Sequence, residues 1–327
     1  MLIPAAALLV GLVVLVWSSE RFIEGAVGTA HHLHLPSFLI GSVIVGVGTS
    51  APEFLISGLS AWHGQPGLAI GNAYGSNIAN IALVLGVALL LCPIPVAAGV
   101  ARREITLLVA VTLLSRWLID DGAISRLDAF LLLLPLIGYL ALVAIQARRA
   151  SQSATAPVPP TIDPDPEVAP LGRSLVWLIL GLLLLVASSR LLVWGASTIA
   201  TALGVSDLVI GLTVVAVGTS LPELASSISA VRRKAYALVL GNVVGSNLFN
   251  TLGVVGIAGL ISSIDIEPSV RHRDWPVMLA LTMLLWLCAM RFGRPSAQLN
   301  RTQGGIFVLA FIVYTAWLVI GAFAATE

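Results

Sequence analysis

Long apolar runs alternate with short polar breaks along this chain. The runs fall at about 3–20, 36–62, 69–91, 104–119 and 127–147, then at about 175–192, 207–230, 238–261, 274–290 and 305–323. Most approach the roughly 20 apolar residues a helix needs to cross a hydrocarbon layer, where an unpaired backbone group finds no partner. The pattern predicts an all-α polytopic membrane protein with about ten transmembrane helices. Residues 21–33 and 191–202 extend the first and sixth runs, which are expected to form long, interrupted spans. The first run has no basic flank and leads into Ser18-Ser19-Glu20-Arg21 without a small-residue cleavage site, so it reads as a retained helix.

Composition narrows the class further. Of 327 residues, 58% are hydrophobic and 10% are charged. A soluble domain carries about 25% charge, so a soluble enzyme is excluded. A net charge of +1 gives no basic excess for nucleic acid. Cys92 and Cys288 make neither a disulfide framework nor a metal spacing.

The Lys and Arg residues set an orientation. Arg102, Arg103, Arg148, Arg149, Arg173, Arg232, Arg233, Lys234, Arg291, Arg294 and Arg301 follow the third, fifth, seventh and ninth runs. Arg126, Arg271 and Arg273 fall on the other side, beside Asp120, Asp121, Asp265 and Glu267. The basic side is expected to be cytoplasmic, with both termini extracytoplasmic. Trp62, Trp117, Trp177 and Trp275 fall near span ends, as an interfacial belt predicts. The stretch 148–174 is Pro-rich and is expected to be a cytoplasmic linker.

This linker separates two copies of one unit, expected over 1–147 and 175–327. Thr49-Ser50-x-Pro52-Glu53 returns 170 residues later as Thr219-Ser220-x-Pro222-Glu223. Gly71-Asn72 and Gly75-Ser76-Asn77-x-x-Asn80 return as Gly241-Asn242 and Gly245-Ser246-Asn247-x-x-Asn250 at the same offset of 170. Five spans per unit is an odd number, so the second copy is expected to enter the membrane inverted. Inverted repeats are the build of many secondary transporters, with the site near the bilayer midplane.

Glu53 and Glu223 sit within the second and seventh runs, at equivalent places. Glu20, Glu24 and Asp207 are expected near interfaces, with at most an orienting or gating role. An acid in hydrocarbon costs a few kcal/mol even on lenient scales (about 3 kcal/mol), so it faces a partner or a water-filled path. The same runs hold no Lys or Arg, and His31, His32, His34, His63 and His272 read as loop residues. A cation is the simplest countercharge. Thr49 and Glu53, four residues apart, share a helix face with Ser50 turning beside them. Pro52 and Pro222 lack an N–H, which deprives the carbonyls of Gly48 and Gly218 of their helical donors and offers further oxygens. Ser76 with Asn80, and Ser246 with Asn250, are again spaced by four. An all-oxygen set suits Na⁺ or Ca²⁺ and disfavours zinc or copper. Gly71-x-x-x-Gly75 and Gly241-x-x-x-Gly245 fit close helix packing. Asn72, Asn77, Asn242 and Asn247 suit either ligand support or interhelical hydrogen bonding.

The paired Gly-Thr-Ser-x-Pro-Glu and Gly-Ser-Asn-x-x-Asn motifs resemble the two alpha-repeats of the calcium/cation antiporter superfamily. In length and linker the chain is most similar to prokaryotic sodium/calcium exchangers. The resemblance implies ten helices in two inverted five-helix repeats, with four central cation sites built from spans two, three, seven and eight. It assigns carboxylate ligands to Glu53 and Glu223, and hydroxyl and carbonyl ligands to Thr49, Ser50, Thr219 and Ser220. Ser76 and Ser246 match hydroxyl ligands, Asn80 an amide ligand, and Gly46 and Ala216 backbone carbonyl donors. Asn250 stands where some exchangers have Asp, which leaves two nominal core negatives.

The implied function is exchange of Ca²⁺ for Na⁺ by alternating access in a bacterial or archaeal plasma membrane. Spans one and six would slide, bending at Gly25, Gly195 and Ser188-Ser189, and no cofactor is implied. The partners are Ca²⁺, Na⁺ and the lipid bilayer. A proton-coupled cation antiporter, in which the same glutamates titrate, is the nearest rival. An intramembrane hydrolase using Ser50 or Ser220 lacks a neighbouring base. A channel is disfavoured by inverted repeats around a closed carboxylate core.

Overall fold

The computed structural model describes residues 2–33, 35–152, 169–204, 214, 216–290 and 297–324. Helix α1 spans Leu2–His32 and α2 is a bent pair, Ser37–Thr49 and Ala51–Trp62, with 44° between its arms. Helix α3 spans Gly67–Leu91, α4 comprises Val100–Ile105 and Thr106–Leu118, and α5 spans Arg126–Gln152. Helix α6 spans Leu171–Ala202, α7 comprises Ala216–Thr219 and Leu221–Arg232, and α8 spans Tyr236–Ile261. Helix α9 comprises Val270–Asp274 and Trp275–Ala289, and α10 spans Arg301–Ala324. Six of these are long and apolar enough to cross a membrane, or seven with the bent pair, among the described residues.

Helices α3 and α8 form the centre and the others wrap them. The most apolar stretch of α8 is 83% buried, whereas that of α10 is 17% buried and turns Leu309, Ile312 and Ile320 outward. Two short antiparallel ribbons join connections on either side. Strand β1 (Ile94–Val96), after α3, pairs with β4 (Ala297–Leu299), after α9. Strand β2 (Ala123–Ile124), after α4, pairs with β3 (Ile264–Asp265), after α8. The ends of α3 and α9 therefore share one surface, and those of α4 and α8 share another.

Helices α1 and α6 differ from the interrupted spans expected. Both are continuous, at 31 and 32 residues. At about 1.5 Å per residue each is about 47 Å long, beyond a hydrocarbon core of about 30 Å, so tilt is needed. Gly25 and Gly195 are contact points and not breaks. A Cβ on Gly25 would overlap the backbone of Leu178, and one on Gly195 would lie 2.8 Å from the Pro4 carbonyl oxygen. The glycines let two antiparallel helices touch backbone to backbone. Ser188 turns its hydroxyl to the Leu185 carbonyl within the unbroken helix.

Other expectations also change. Helix α5 runs to Gln152 and α6 starts at Leu171, so helix covers both ends of the linker stretch, and 153–168 lie outside the described residues. His31 and His32 are helical, in the last turn of α1, and His272 is on a helical turn of α9, while His34 lies outside the described residues. Trp62 and Trp117 are exposed, at 76% and 69%, as a belt requires. Trp275 instead is buried and donates to the Thr112 carbonyl and Ser115 Oγ.

Among the described residues, π-helical segments interrupt the helices at Ile40–Val45, Asn80–Leu85, Val100–Ile105, Phe249–Val254 and Val270–Asp274. Such single-turn insertions are frequent at functional sites. Asn80 and Asn250 each stand on one, and Gly46 directly follows another.

Candidate cation site

Four helices meet through polar side chains that have no place in an apolar core unless they are paired. The bend in α2 falls at Ser50, directly before Ala51-Pro52, and α7 repeats the break at Ser220 before Leu221-Pro222. Each break starts a new helix whose first turn carries the glutamate. Glu53 and Glu223 are each 1% exposed and near enough for their charges to interact. Ser76 of α3 donates to Glu53 Oε1 at 3.4 Å, and Ser50 of α2 donates to Glu223 Oε1 at 3.5 Å. Both bonds are long and weak.

The asparagines brace the frame. Asn72 donates to Ser57 Oγ at 3.0 Å and to the Glu53 carbonyl at 3.4 Å. Asn242 donates to the Glu223 carbonyl, Ser226 Oγ and Ser227 Oγ, while its Oδ1 accepts from Thr49 Oγ1 at 3.1 Å. Asn80 donates to Asn247 Oδ1 at 3.1 Å, and Asn77 to Thr251 Oγ1 at 2.7 Å. Interhelical bonding thus engages Asn72, Asn242 and Asn247 and the amide nitrogen of Asn77, whose Oδ1 is left without a partner. Ser246 donates to the Gly46 carbonyl at 3.3 Å, which joins α8 to α2 beside the bend. Gly241 and Gly245 pack against α2, where a Cβ on Gly245 would overlap the Ser42 carbonyl. The equivalent partners of Gly71 and Gly75, around 208–212, lie outside the described residues, as does Asp207.

Several buried oxygens are left without a donor. Glu53 Oε2, Glu223 Oε2, Tyr74 Oη, Asn77 Oδ1, Asn80 Oδ1, Ser220 Oγ and both side-chain amide atoms of Asn250 have no hydrogen-bond partner among the described residues. Leaving one buried polar atom unsatisfied costs about 1–3 kcal/mol, so a cluster of them on these four helices calls for a partner. All but Asn250 Nδ2 are oxygens, the ligand type of Na⁺ and Ca²⁺. Among the described residues no three His, Cys, Asp or Glu side chains gather as a nitrogen- or sulfur-rich metal centre would require. Thr219 is half-buried, and Ala216 opens the short helix before the break.

Two of the expected carbonyls already accept hydrogen bonds, Gly46 from Ser50 N–H and Ser246 Oγ among them. Pro222 does free the Gly218 carbonyl, but Ser189 of α6 donates to it at 2.9 Å. Two partner sets went unnoticed in the sequence. Ser57 and Ser227 hold the asparagines and sit 170 apart. Glu104 and Asp274 also sit 170 apart, and that offset alone could have flagged them.

Apolar helices packed around two buried acids define an integral membrane protein. The family model described as sodium/calcium exchanger protein matches residues 3–145 and 173–320. The chain belongs to this sodium/calcium exchanger family of the calcium/cation antiporter superfamily. It is similar to CaxA of Alkalimonas amylolytica, whose name proposes an antiporter, at 43% identity over 96% of this chain and 98% of that one. It is 30% identical to the sodium/calcium exchanger MaX1 of Methanosarcina acetivorans over 96% of this chain and 97% of that one. The solved sodium-calcium exchanger NCX_Mj, soaked with zero Na⁺ and Ca²⁺, superposes with a TM-score of 0.82. That match has 32% identity and covers 97% of this chain and 99% of the other. The protein is a transporter of an exchanger family and not an enzyme, which removes the hydrolase reading of Ser50 and Ser220.

Proposed function

We propose that this protein exchanges Ca²⁺ for Na⁺ by alternating access, with the cations held between the two halves of the chain. The observation that carries this is the pair Glu53 and Glu223, both buried on broken helices and each with an oxygen that lacks a donor. One Ca²⁺ would neutralise both, and Na⁺ ions on overlapping oxygens would do the same, so the two exclude each other. Thr49, Ser50, Ser76, Asn80, Thr219, Ser220, Ser246 and Asn250 would complete the shell with the carbonyls of Gly46 and Ala216. The Gly46 carbonyl accepts from Ser246 Oγ at 3.3 Å and from the Ser50 N–H at 3.1 Å, so a cation bound there would displace one of these bonds. The empty acidic core would resist crossing the low-dielectric region, while an occupied one would not.

The architecture that goes with this is ten spans in two inverted halves, 1–147 and 175–327, joined by 148–174, with both termini extracytoplasmic. It is supported by the constant offset of 170, by π segments at Val100–Ile105 and Val270–Asp274 in the same register, and by the pairing of β1 with β4 and β2 with β3. Helices α1 and α6, which meet through glycines, would form the sliding layer.

The test is Ca²⁺ uptake into proteoliposomes. An outward Na⁺ gradient is expected to drive uptake that collapses when Na⁺ is dissipated. Flux that needs a pH gradient and proceeds without Na⁺ would instead establish proton coupling.

A further inference from the structure

A second pair of acids follows the offset of the first. Glu104 and Asp274 are 170 residues apart, each follows an arginine, and each lies on a π-helical turn. The last helices of the halves begin at Arg126 and Arg301, 175 apart, and bring Tyr139 and Tyr314, also 175 apart, onto these acids. On α9 the set is closed. Arg273 Nε donates to Asp274 Oδ1 at 2.7 Å, Arg273 Nη2 donates to Oδ2 at 3.1 Å, and Tyr314 donates to Oδ1 at 3.0 Å. On α4 it is open. Glu104 Oε2 is buried with no hydrogen-bond partner, and Tyr139 lies between Glu104 and Ser42, donating to Ser42 Oγ at 3.1 Å.

A phenol has one proton to donate and here has two acceptors. When Glu104 is ionised, its carboxylate is the stronger acceptor and draws the Tyr139 proton away from Ser42. When Glu104 is protonated, it donates to the Tyr139 oxygen and leaves the phenol O–H to Ser42. Ser42 lies on the π segment Ile40–Val45, whose backbone presses on Gly241 and Gly245 of α8. It precedes Gly46, the acceptor of Ser246, by four residues and so shares its side of the helix. The Tyr139–Ser42 bond therefore braces the α2 wall of the cation site from behind.

We propose that Glu104 is a proton-binding site that switches this brace through Tyr139 and makes exchange sensitive to pH on the face that carries Arg102 and Arg103. One proton enters from the water on that face and stays on Glu104, while Tyr139 keeps its proton and changes acceptor. The groups that bear on Glu104 are Arg103 on its own turn and Tyr139 on α5. Helix α9, packed on the same turn, carries Cys288 as the titratable side chain of Trp275–Ala289.

The flux arm of the test rests on the exchange reading, and the spectroscopic arm does not. Infrared difference spectra of purified wild-type protein on acidification are expected to show a protonated-carboxyl band that Glu104→Gln lacks and Tyr139→Phe shifts. In proteoliposomes, wild-type Ca²⁺ flux is expected to step with pH on that face. Glu104→Gln should lose the step and stay near the low-pH level, because its amide donates to Tyr139. Tyr139→Phe should also lose the step, although its Glu104 still titrates in the infrared. The proposal is overturned by a carboxyl band that persists in Glu104→Gln, or by an unchanged pH step in either variant. If wild-type protein shows no flux, the exchange reading fails and the infrared result alone decides the proton site.

Discussion

Two pairs of acids sit at repeat-equivalent positions in this protein, and their surroundings differ. Glu53 and Glu223 each receive one long hydroxyl bond and keep one oxygen without a donor. Asp274 is held by a guanidinium and a phenol, whereas Glu104 has Arg103 and Tyr139 near it but keeps Oε2 without a partner. The central pair is nearly symmetric because each acid stands in the first turn of a helix that begins after a Ser–x–Pro break. The outer pair differs because Arg273 grips Asp274 at two points, whereas Glu104 has no ion pair among the described residues. A buried acid supplied with its own cation is part of the scaffold. One left without a countercharge needs a charge from outside the protein, and only the central pair is left so twice.

The largest expected effect tests that contrast at the centre. Glu53→Gln or Glu223→Gln keeps shape and removes one charge facing a buried cation. Loss of one partner of a buried ion pair costs about 3–5 kcal/mol. At about 1.4 kcal/mol per tenfold, Ca²⁺ binding should weaken by about 100- to 3000-fold. Calcium-binding titration should show this, and gradient-driven uptake should fall to background. The thermal stability of the ion-free protein should hold or rise, because two neighbouring carboxylates no longer repel. A variant that binds Ca²⁺ like the wild type would remove these residues from the site.

Asp274→Asn comes next and should reverse the pattern. It strands Arg273, whose side chain is 28% exposed, so the cost falls below the fully buried value, at about 2–4 kcal/mol. Thermal unfolding in detergent should shift down by that amount while Ca²⁺ affinity stays within a few-fold of wild type. Weakened binding with unchanged stability would mean that the outer acids also face the ions.

How much of this was legible in the sequence follows from the same contrast. The helical class, the repeat and Glu53 with Glu223 could be read directly, because apolar runs and a constant offset are local signals. Glu104 and Asp274 share that offset, yet each looks like an ordinary acid at a span end. Tyr139 and Tyr314 are hidden by five additional residues in the second half, which shift the offset from 170 to 175. Gly25 and Gly195 resemble helix breaks until the helix across from them is known, and only then become contacts. The Gly218 carbonyl looked free because local geometry cannot show that Ser189, on another helix, reaches it. What the sequence hid were contacts between residues far apart along the chain.

The smallest expected effect concerns acids that meet arginines at the surface. Glu20 accepts from Arg232 at 3.2 Å, and Glu24 accepts from Arg21 at 2.8 Å and Arg233 at 3.4 Å, which ties α1 to the end of α7. Ser19 and Ser229 add a hydroxyl bond of 2.8 Å between the same helices. At the equivalent places α6 carries Arg190 and Trp194, and Ser189 is turned to the Gly218 carbonyl, so the two long helices are anchored differently. Glu20 and Arg232 are 45% and 61% exposed, and pairs in that setting contribute about 0.2–1 kcal/mol. The double change Glu20→Gln with Glu24→Gln should therefore lower stability by less than about 1 kcal/mol at low ionic strength. Screening within about 10 Å at 0.1 M salt should erase most of that loss. Denaturation across a salt series measures both. A loss that exceeds about 1 kcal/mol and persists in high salt would place these acids with Asp274, as parts of the scaffold. A loss that salt removes would leave α1 held to α7 chiefly by packing and the serine pair, and free to move against it at little electrostatic cost.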